Sequence, residues 1–419
     1  MTPVPESALP GALWAVTHGR SSQPHDVLGQ HLEPSGLRVR VRRPLATRVR
    51  VRFEDDVTLD LDHEQDGIFS GLREDADRTM DYRVLTTWED GVEHVGDDPY
   101  RFAPTVGEVD LHLINEGRHE QLWTVLGAHT RAYDGPMGPV EGVSFAVWAP
   151  RAKAVHVIGD FNGWDEASHP MRCLGGSGVW ELFVPGAADG DVYKFALRGA
   201  DDVVRHKADP LARLAETAPA TGSVVTTSGH EWQDAAWLEQ RARTDPHTGR
   251  MSVYEVHPGS WRQGLSWRDL ADELVDHVVR HGFTHIELMP VMDHPYPPSW
   301  GYHVTSYFAP NSRFGSPDDF RHLVDRCHRA GWTTTHDSTR DLPTFDDEHA
   351  LHGEANGSGG ISGGAGSVCI DLTSTLAQMA DREGGLREDR LTVQLLPRCE
   401  STETNVSNIR PRRVEIVIL

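Results

Sequence analysis

An internal repeat constrains this chain more than any other feature of its sequence. Gly67-Ile68-Phe69 returns as Gly178-Val179-Trp180, Tyr82-Arg83-Val84 as Tyr193-Lys194-Phe195, and Asp98-Pro99-Tyr100 as Asp209-Pro210-Leu211, all at an offset of 111 (178 − 67, 193 − 82, 210 − 99). Upstream the offset is 106: Pro44 is matched by Pro150, and Val49-Arg50-Val51 by Val155-His156-Val157. The difference falls near Gly159-Asp160-Phe161-Asn162-Gly163-Trp164, a loop that only the second copy carries. Both copies read as short alternating strands separated by Gly, Pro and Asp turns, the pattern of a small antiparallel sandwich. The repeat therefore predicts an N-terminal extension over 1–25, a first β-sandwich over 26–117 and a second over 118–232, with a boundary near Gly117.

From Met251 the period changes. Met251 to His257 reads as a strand, Leu265 to His281 as a helix and Thr284 to Pro290 as a second apolar strand, which together make one β-α-β unit. Trp267, Leu270, Leu274 and Val278 recur at helical spacing behind a Ser266 cap, and Gly282 stops the helix. Ser316-Pro317-Asp318-Asp319 opens another helix with the face Phe320, Leu323, Val324 and Cys327. Residues 233–332 are thus expected to begin a parallel β/α domain. The third parallel strand is due after Trp332, but Thr333-Thr334-Thr335-His336 is not the Val/Ile/Leu run that such strands use, so none is predicted. A Gly/Ser-rich stretch and mixed polar sequence follow, and 333–419 is expected to be an irregular, disordered tail.

Charge narrows the partners. The 63 acidic and 40 basic residues give a formal charge of −23, which disfavours nucleic acid and anionic membrane surfaces. No apolar run reaches the roughly 18 residues of a membrane span, and the start lacks a basic leader, so a cytoplasmic location is expected. The four cysteines are scattered, which indicates neither a disulfide framework nor a zinc site.

Four segments carry a resemblance to a known family: Trp180-Glu181-Leu182-Phe183-Val184-Pro185-Gly186, Tyr254-Glu255-Val256-His257-Pro258-Gly259-Ser260-Trp261, Phe283-Thr284-His285-Ile286-Glu287-Leu288-Met289-Pro290 and Ser299-Trp300-Gly301-Tyr302. With Val304 to Pro310 and Arg313-Phe314-Gly315, they make residues from about Val27 to Trp332 resemble bacterial α-1,4-glucan branching enzymes of the α-amylase superfamily. The resemblance implies tandem immunoglobulin-like sandwiches of the glycogen-binding-module type, followed by the beginning of a (β/α)8 barrel. It implies transfer of an α-1,4-glucan segment to a 6-hydroxyl in glycogen biosynthesis, with α-glucan as partner and no metal or organic cofactor.

The same resemblance assigns candidate residues. Trp164 and Lys194 fall on glucan-touching positions, where an indole can lie on a sugar's C–H face and an ammonium can donate to hydroxyls. Packing at a domain interface is the alternative for Trp164. In the loop after the second barrel strand, Tyr302 corresponds to the residue under the sugar at the cleavage point, and Trp300 and Asp293 to residues that shape the donor site. Packing of the barrel rim is the alternative for Trp300 and Tyr302. The family's catalytic carboxylates find no counterpart here, and Asp337 matches an earlier family motif by count alone. Only 169 residues run from Met251 to the end (419 − 250), against about 250 in a closed barrel. The expectation is a truncated family member, inactive alone; a non-catalytic glucan-binding or regulatory protein is the alternative.

Overall fold

The computed structural model describes residues 7–244 and 249–331, together with the backbone of 333–336. Residues 337–419, on which the predicted tail falls, lie outside the described residues. Among the described residues no helix is long and apolar enough to cross a membrane.

Helix α1 (Leu9–Thr17) precedes seven strands: β1 (Gly29–Glu33), β2 (Gly36–Arg42), β3 (Arg48–Phe53), β4 (Thr58–Gln65), β5 (Ile68–Arg73), β6 (Tyr82–Thr87) and β7 (Glu93–Gly96). They pair antiparallel in the order β1-β2-β5-β4-β3-β6-β7. β4 bridges the two halves: Thr58 to Leu61 pair with β3, and from Asp62 on it pairs with β5, with an irregularity between His63 and Gln65. Inward Leu37, Val39 and Val41 of one half then meet Val49, Val51, Phe53, Tyr82 and Val84 of the other in one core.

Helix α2 (Glu108–Asn115) leads into β8 (Gly127–Tyr133), β9 (Val140–Trp148), β10 (Ala154–Gly159), β11 (Arg172–Cys173), β12 (Val179–Pro185), β13 (Val192–Arg198), β14 (Val204–Lys207) and β15 (Ser223–Val224). One sheet has the order β11-β12-β9-β8; the other has β10-β13-β14, with β15 on β13. Phe145, Leu182, Val155, Tyr193 and Phe195 fill the space between them.

The repeat is longer than the sequence reading found. Val27-Leu28-Gly29-Gln30-His31 and Val125-Leu126-Gly127-Ala128-His129 lie 98 residues apart (127 − 29), as do Leu13/Leu111, Val16/Ile114 and Gly19/Gly117. His31 Nε2 lies 3.1 Å from Leu28 O, and His129 Nε2 lies 2.9 Å from Leu126 O. Each unit is thus a helix followed by a sandwich, which corrects two predicted boundaries. α2 packs through Leu111 and Ile114 on Leu126, Ala146 and Val179 of the second sandwich, so Gly117 is not the border. The predicted extension over 1–25 is not separate from the sandwiches either, because its Leu13 and Val16, with Val27 and Leu28 just beyond it, are buried in the second sandwich's core. Polar contacts hold them there: Cys173 N donates to Ser22 O at 2.9 Å, Arg198 Nε to Gly19 O at 3.0 Å, and Arg20 grips Asp202 through two bonds of 2.9 and 2.6 Å.

The linker carries α3 (Ala235–Arg243) and is strapped to the next domain, where Asp234 Oδ2 lies 2.7 Å from His328 Nδ1 and the Trp237 and His328 rings stack at 3.7 Å. That domain contains β16 (Val253–Val256), α4 (Pro258–Trp261), α5 (Trp267–His281), β17 (His285–Leu288), β18 (Met292–Asp293), β19 (Ser306–Pro310), α6 (Pro317–Arg329) and β20 (Thr333–His336). Ser266 and Ser316 each close a reciprocal cap with an aspartate three residues on, and Gly282 leaves α5 at φ 75°. The predicted apolar faces of α5 and α6 meet in one core with Ile286 and Leu288. β16, β17 and β20 form a parallel sheet, β17 in the middle. The absence of a third strand was therefore wrong. Hydrogen bonding along β17 recruits Thr333–His336 despite its polar sequence, and β-branched threonine suits a strand.

The junction of the sandwiches is rich in neutral histidine. Burial pushes His156 down to about 4 and His169 down to about 3, and it lowers His25 strongly; nearby arginines act in the same direction. A histidine with a depressed folded-state pKa takes up its proton mainly on unfolding, so it costs stability as pH falls below about 6.5. We expect the stability of His156→Leu relative to the parent to improve by about 2 kcal/mol between pH 8 and pH 5, read by urea unfolding. A pH-independent difference would refute this.

Candidate functional site

Two groups of the sequence-predicted residues occupy strand ends. In the second sandwich, β10 runs into a short turn at Asp160–Asn162. Asn162 closes it, accepting from Gly159 N at 3.0 Å and donating to Val157 O at 3.0 Å, while its Nδ2 lies 2.8 Å from His169 Nδ1. Phe161 turns inward onto Phe145, with ring centres 5.2 Å apart. Trp164 turns outward, 38% exposed, with backbone φ at 64°. Its Nε1 donates to Asp160 Oδ1 at 3.1 Å, and the other oxygen of Asp160 accepts from Val192 N at 2.9 Å, so one carboxylate fixes both the indole and the start of β13. Lys194 stands two residues along β13, opposite Ile158, and donates to Thr221 Oγ1 at 2.7 Å.

In the third domain, the loop between β18 and β19 projects from the end of β17. Gly301 makes this possible: its φ is 92°, and a Cβ there would lie 2.5 Å from Pro290 O. The flanking Trp300 and Tyr302 are 53% and 46% exposed. Trp300 has φ at 57°, and the His257 ring stacks against it at 5.4 Å. Asp293 is buried, and burial raises its pKa above the usual carboxylate range. Beside it, His294 Nε2 lies 2.6 Å from a guanidinium nitrogen of Arg313, whose Nε donates to Asn311 Oδ1 at 3.0 Å.

Trp164 and Trp300 are the two aromatic residues with left-handed backbone among the described residues. Bulky side chains seldom adopt that conformation, and it is stored where a loop must aim a group. One segment touches both places: Thr221 receives Lys194, and Thr217 Oγ1 donates to Ser312 Oγ at 3.2 Å, next to Asn311 and Arg313. The sequence reading missed His257, His294, Asn311 and Arg313. His257 could have been flagged, because it directly follows a barrel strand, where loops form the working face of such domains. His294 adjoins the named Asp293 and Arg313 lies in a segment that carries the resemblance, whereas nothing local in the sequence announces Asn311.

Tandem sandwiches stand ahead of a parallel β/α sheet, with outward tryptophans in the loops that follow strands. Residues 125–212 match carbohydrate-binding module 48 (isoamylase N-terminal domain), and residues 10–100 match the N-terminal domain of the α-1,4-glucan branching enzyme GlgB. The 1,4-α-glucan branching enzyme of Thermobifida fusca is 53% identical over 325 residues, covering 78% of this chain and 43% of that protein. That of Rhodococcus jostii is 54% identical over 316 residues, covering 75% and 43%. A pullulanase structure from Anoxybacillus aligns with 74% of this chain and 47% of its own, at 18% identity and a TM-score of 0.37. Over its N-terminal three-quarters this chain is similar to α-1,4-glucan branching enzymes, and it spans less than half the length of these relatives.

The Gly301 geometry gives a direct test. We expect Gly301→Ala to destabilise the third domain by about 1–3 kcal/mol and to alter the near-ultraviolet dichroism of the tryptophans. A variant with the parent's unfolding curve and spectrum would show that the loop does not depend on this close approach.

Proposed function

We propose that this chain is the glucan-holding front half of a branching enzyme, with immunoglobulin-like sandwiches and the opening of a (β/α)8 barrel. The observation that carries this reading is the pair of outward tryptophans on left-handed backbone, Trp164 and Trp300. Trp164 gives a sugar ring a flat apolar face, and Lys194 donates to its hydroxyls. The chain then reaches the barrel mouth, where Tyr302 lies under a glucosyl unit and Trp300 and Asp293 border it. His257 backs the Trp300 indole.

Retaining transfer needs two carboxyl groups about 5–5.5 Å apart, one as nucleophile and one as acid then base. The loops after β16 and β17 supply one carboxylate, Asp293. The reading is therefore binding without transfer by this chain alone. A regulatory or purely glucan-binding role is the second reading, supported by the match of residues 125–212 to a carbohydrate-binding module.

Retardation in native gels containing glycogen tests the proposal. We expect the parent to be retarded and Trp164→Ala to lose roughly tenfold in affinity, with no change in the iodine colour of amylose incubated with either. An unretarded parent would sink the binding role, and a colour shift would sink the claim of inactivity.

A further inference from the structure

The first unit carries an exposed aromatic that its fold does not require. Trp14, 45% exposed, lies on α1, whose opposite side is anchored by buried Leu13 and Val16. Its indole is stacked on His18 one turn later, with centroids 4.4 Å apart and planes 20° apart, and His18 Nδ1 is itself 3.0 Å from Trp14 O. The ring is thus held before any ligand arrives. At the equivalent place in the second unit, 98 residues on, the same two helical positions hold His112 and Glu116, whose exposed side chains meet at 3.4 Å. The repeat builds its helix equally well without a tryptophan there.

The surroundings of Trp14 supply polar anchors. The Arg20 guanidinium lies over the indole ring, 5.9 Å from its centre, and makes its two-pronged bond to Asp202, on the turn after β13. Asp202 sits at φ 65°, another left-handed non-glycine position. Arg198 donates to Gly19 O and to Asp202 O, which ties the end of α1 to the end of β13. Lys194 and Arg198 lie on the same face of β13, four residues or roughly 13 Å apart. Between them on this face stands His206, opposite Ala196 and 2.5 Å from exposed Glu166. Lys194 thus stands at one end of β13 and the Trp14–Arg20–Asp202 group at the other, with buried Ala196, Ile158 and His156 between them.

We propose that Trp14, with Arg20 and Asp202, is a second platform for an α-glucan chain, separate from the Trp164–Lys194 end. It rests on the glucan-binding role proposed above. The indole takes the apolar face of a sugar ring, and the guanidinium–carboxylate pair offers donors and acceptors to its hydroxyls. A long chain gains from both platforms because engagement of the second is intramolecular.

The test is glycogen affinity of the full chain, by gel retardation over a range of glycogen concentrations, for the parent, Trp14→Ala, Trp14→Tyr and Trp164→Ala. Trp14→Ala should weaken retention roughly 3- to 10-fold with an unchanged thermal unfolding midpoint, and Trp14→Tyr should restore most of it. Parental retention by Trp14→Ala, with Trp164→Ala weakened, overturns the second platform and leaves the proposed function standing. If Trp14→Tyr is as weak as Trp14→Ala, a flat ring is not what binds, and the platform is again overturned. No retention by the parent itself removes the proposed function, and this inference with it.

Discussion

Each sandwich is closed by the same buried contact, a tyrosine hydroxyl donating to an aspartate. Tyr82 donates to Asp98 and Tyr193 to Asp209, both at 2.6 Å. In both units the second carboxylate oxygen accepts a backbone N–H two residues on, from Tyr100 or Leu211. Burial raises both tyrosines, and it pushes Asp209 up to about 6. Removing a partner would leave a polar group stranded, at a cost of about 1–3 kcal/mol. What depends on this contact is direction: it fixes where the chain leaves each sandwich, and so where the next domain begins.

The repeat made this visible in the sequence, since Tyr82/Tyr193 and Asp98/Asp209 were among its landmarks. Pro44 and Pro150 were legible for a related reason. A Cβ on Gly67 or Gly178 would come within 2.9 or 2.6 Å of the matching proline Cα, so both members of each pair are fixed by contact. The leading helices were missed because insertions had shifted the offset to 98 there, and because Leu13 and Val16 owe their burial to a distant sandwich. β20 was missed for a different reason. Strand prediction reads side chains, whereas Thr333–His336 is recruited by backbone pairing along β17.

The candidate sites divide in the same way. Trp164, Trp300, Tyr302, Asp293 and Lys194 could be named from motifs, but motifs do not say how an indole is held. Asp160 holds one tryptophan and His257 backs the other, and both holders come from within short turns. The 217–221 segment that touches both places could not be read from sequence, because its contacts run from Lys194 to Ser312 across three-dimensional space.

The docking of α1 has a consequence for synthesis. Arg20 and Asp202 are separated by 182 residues, and Gln23 is separated by 150 from Cys173, whose carbonyl it binds. At translation rates of about 5–20 residues per second, Leu13 and Val16 would wait roughly 10–40 s for the surface that buries them. The first sandwich can assemble its own core of Val39, Val51 and Tyr82 in that interval. The helix in front of it is finished only by sequence made later, so residues 9–28 reach their final place after the sandwich that follows them.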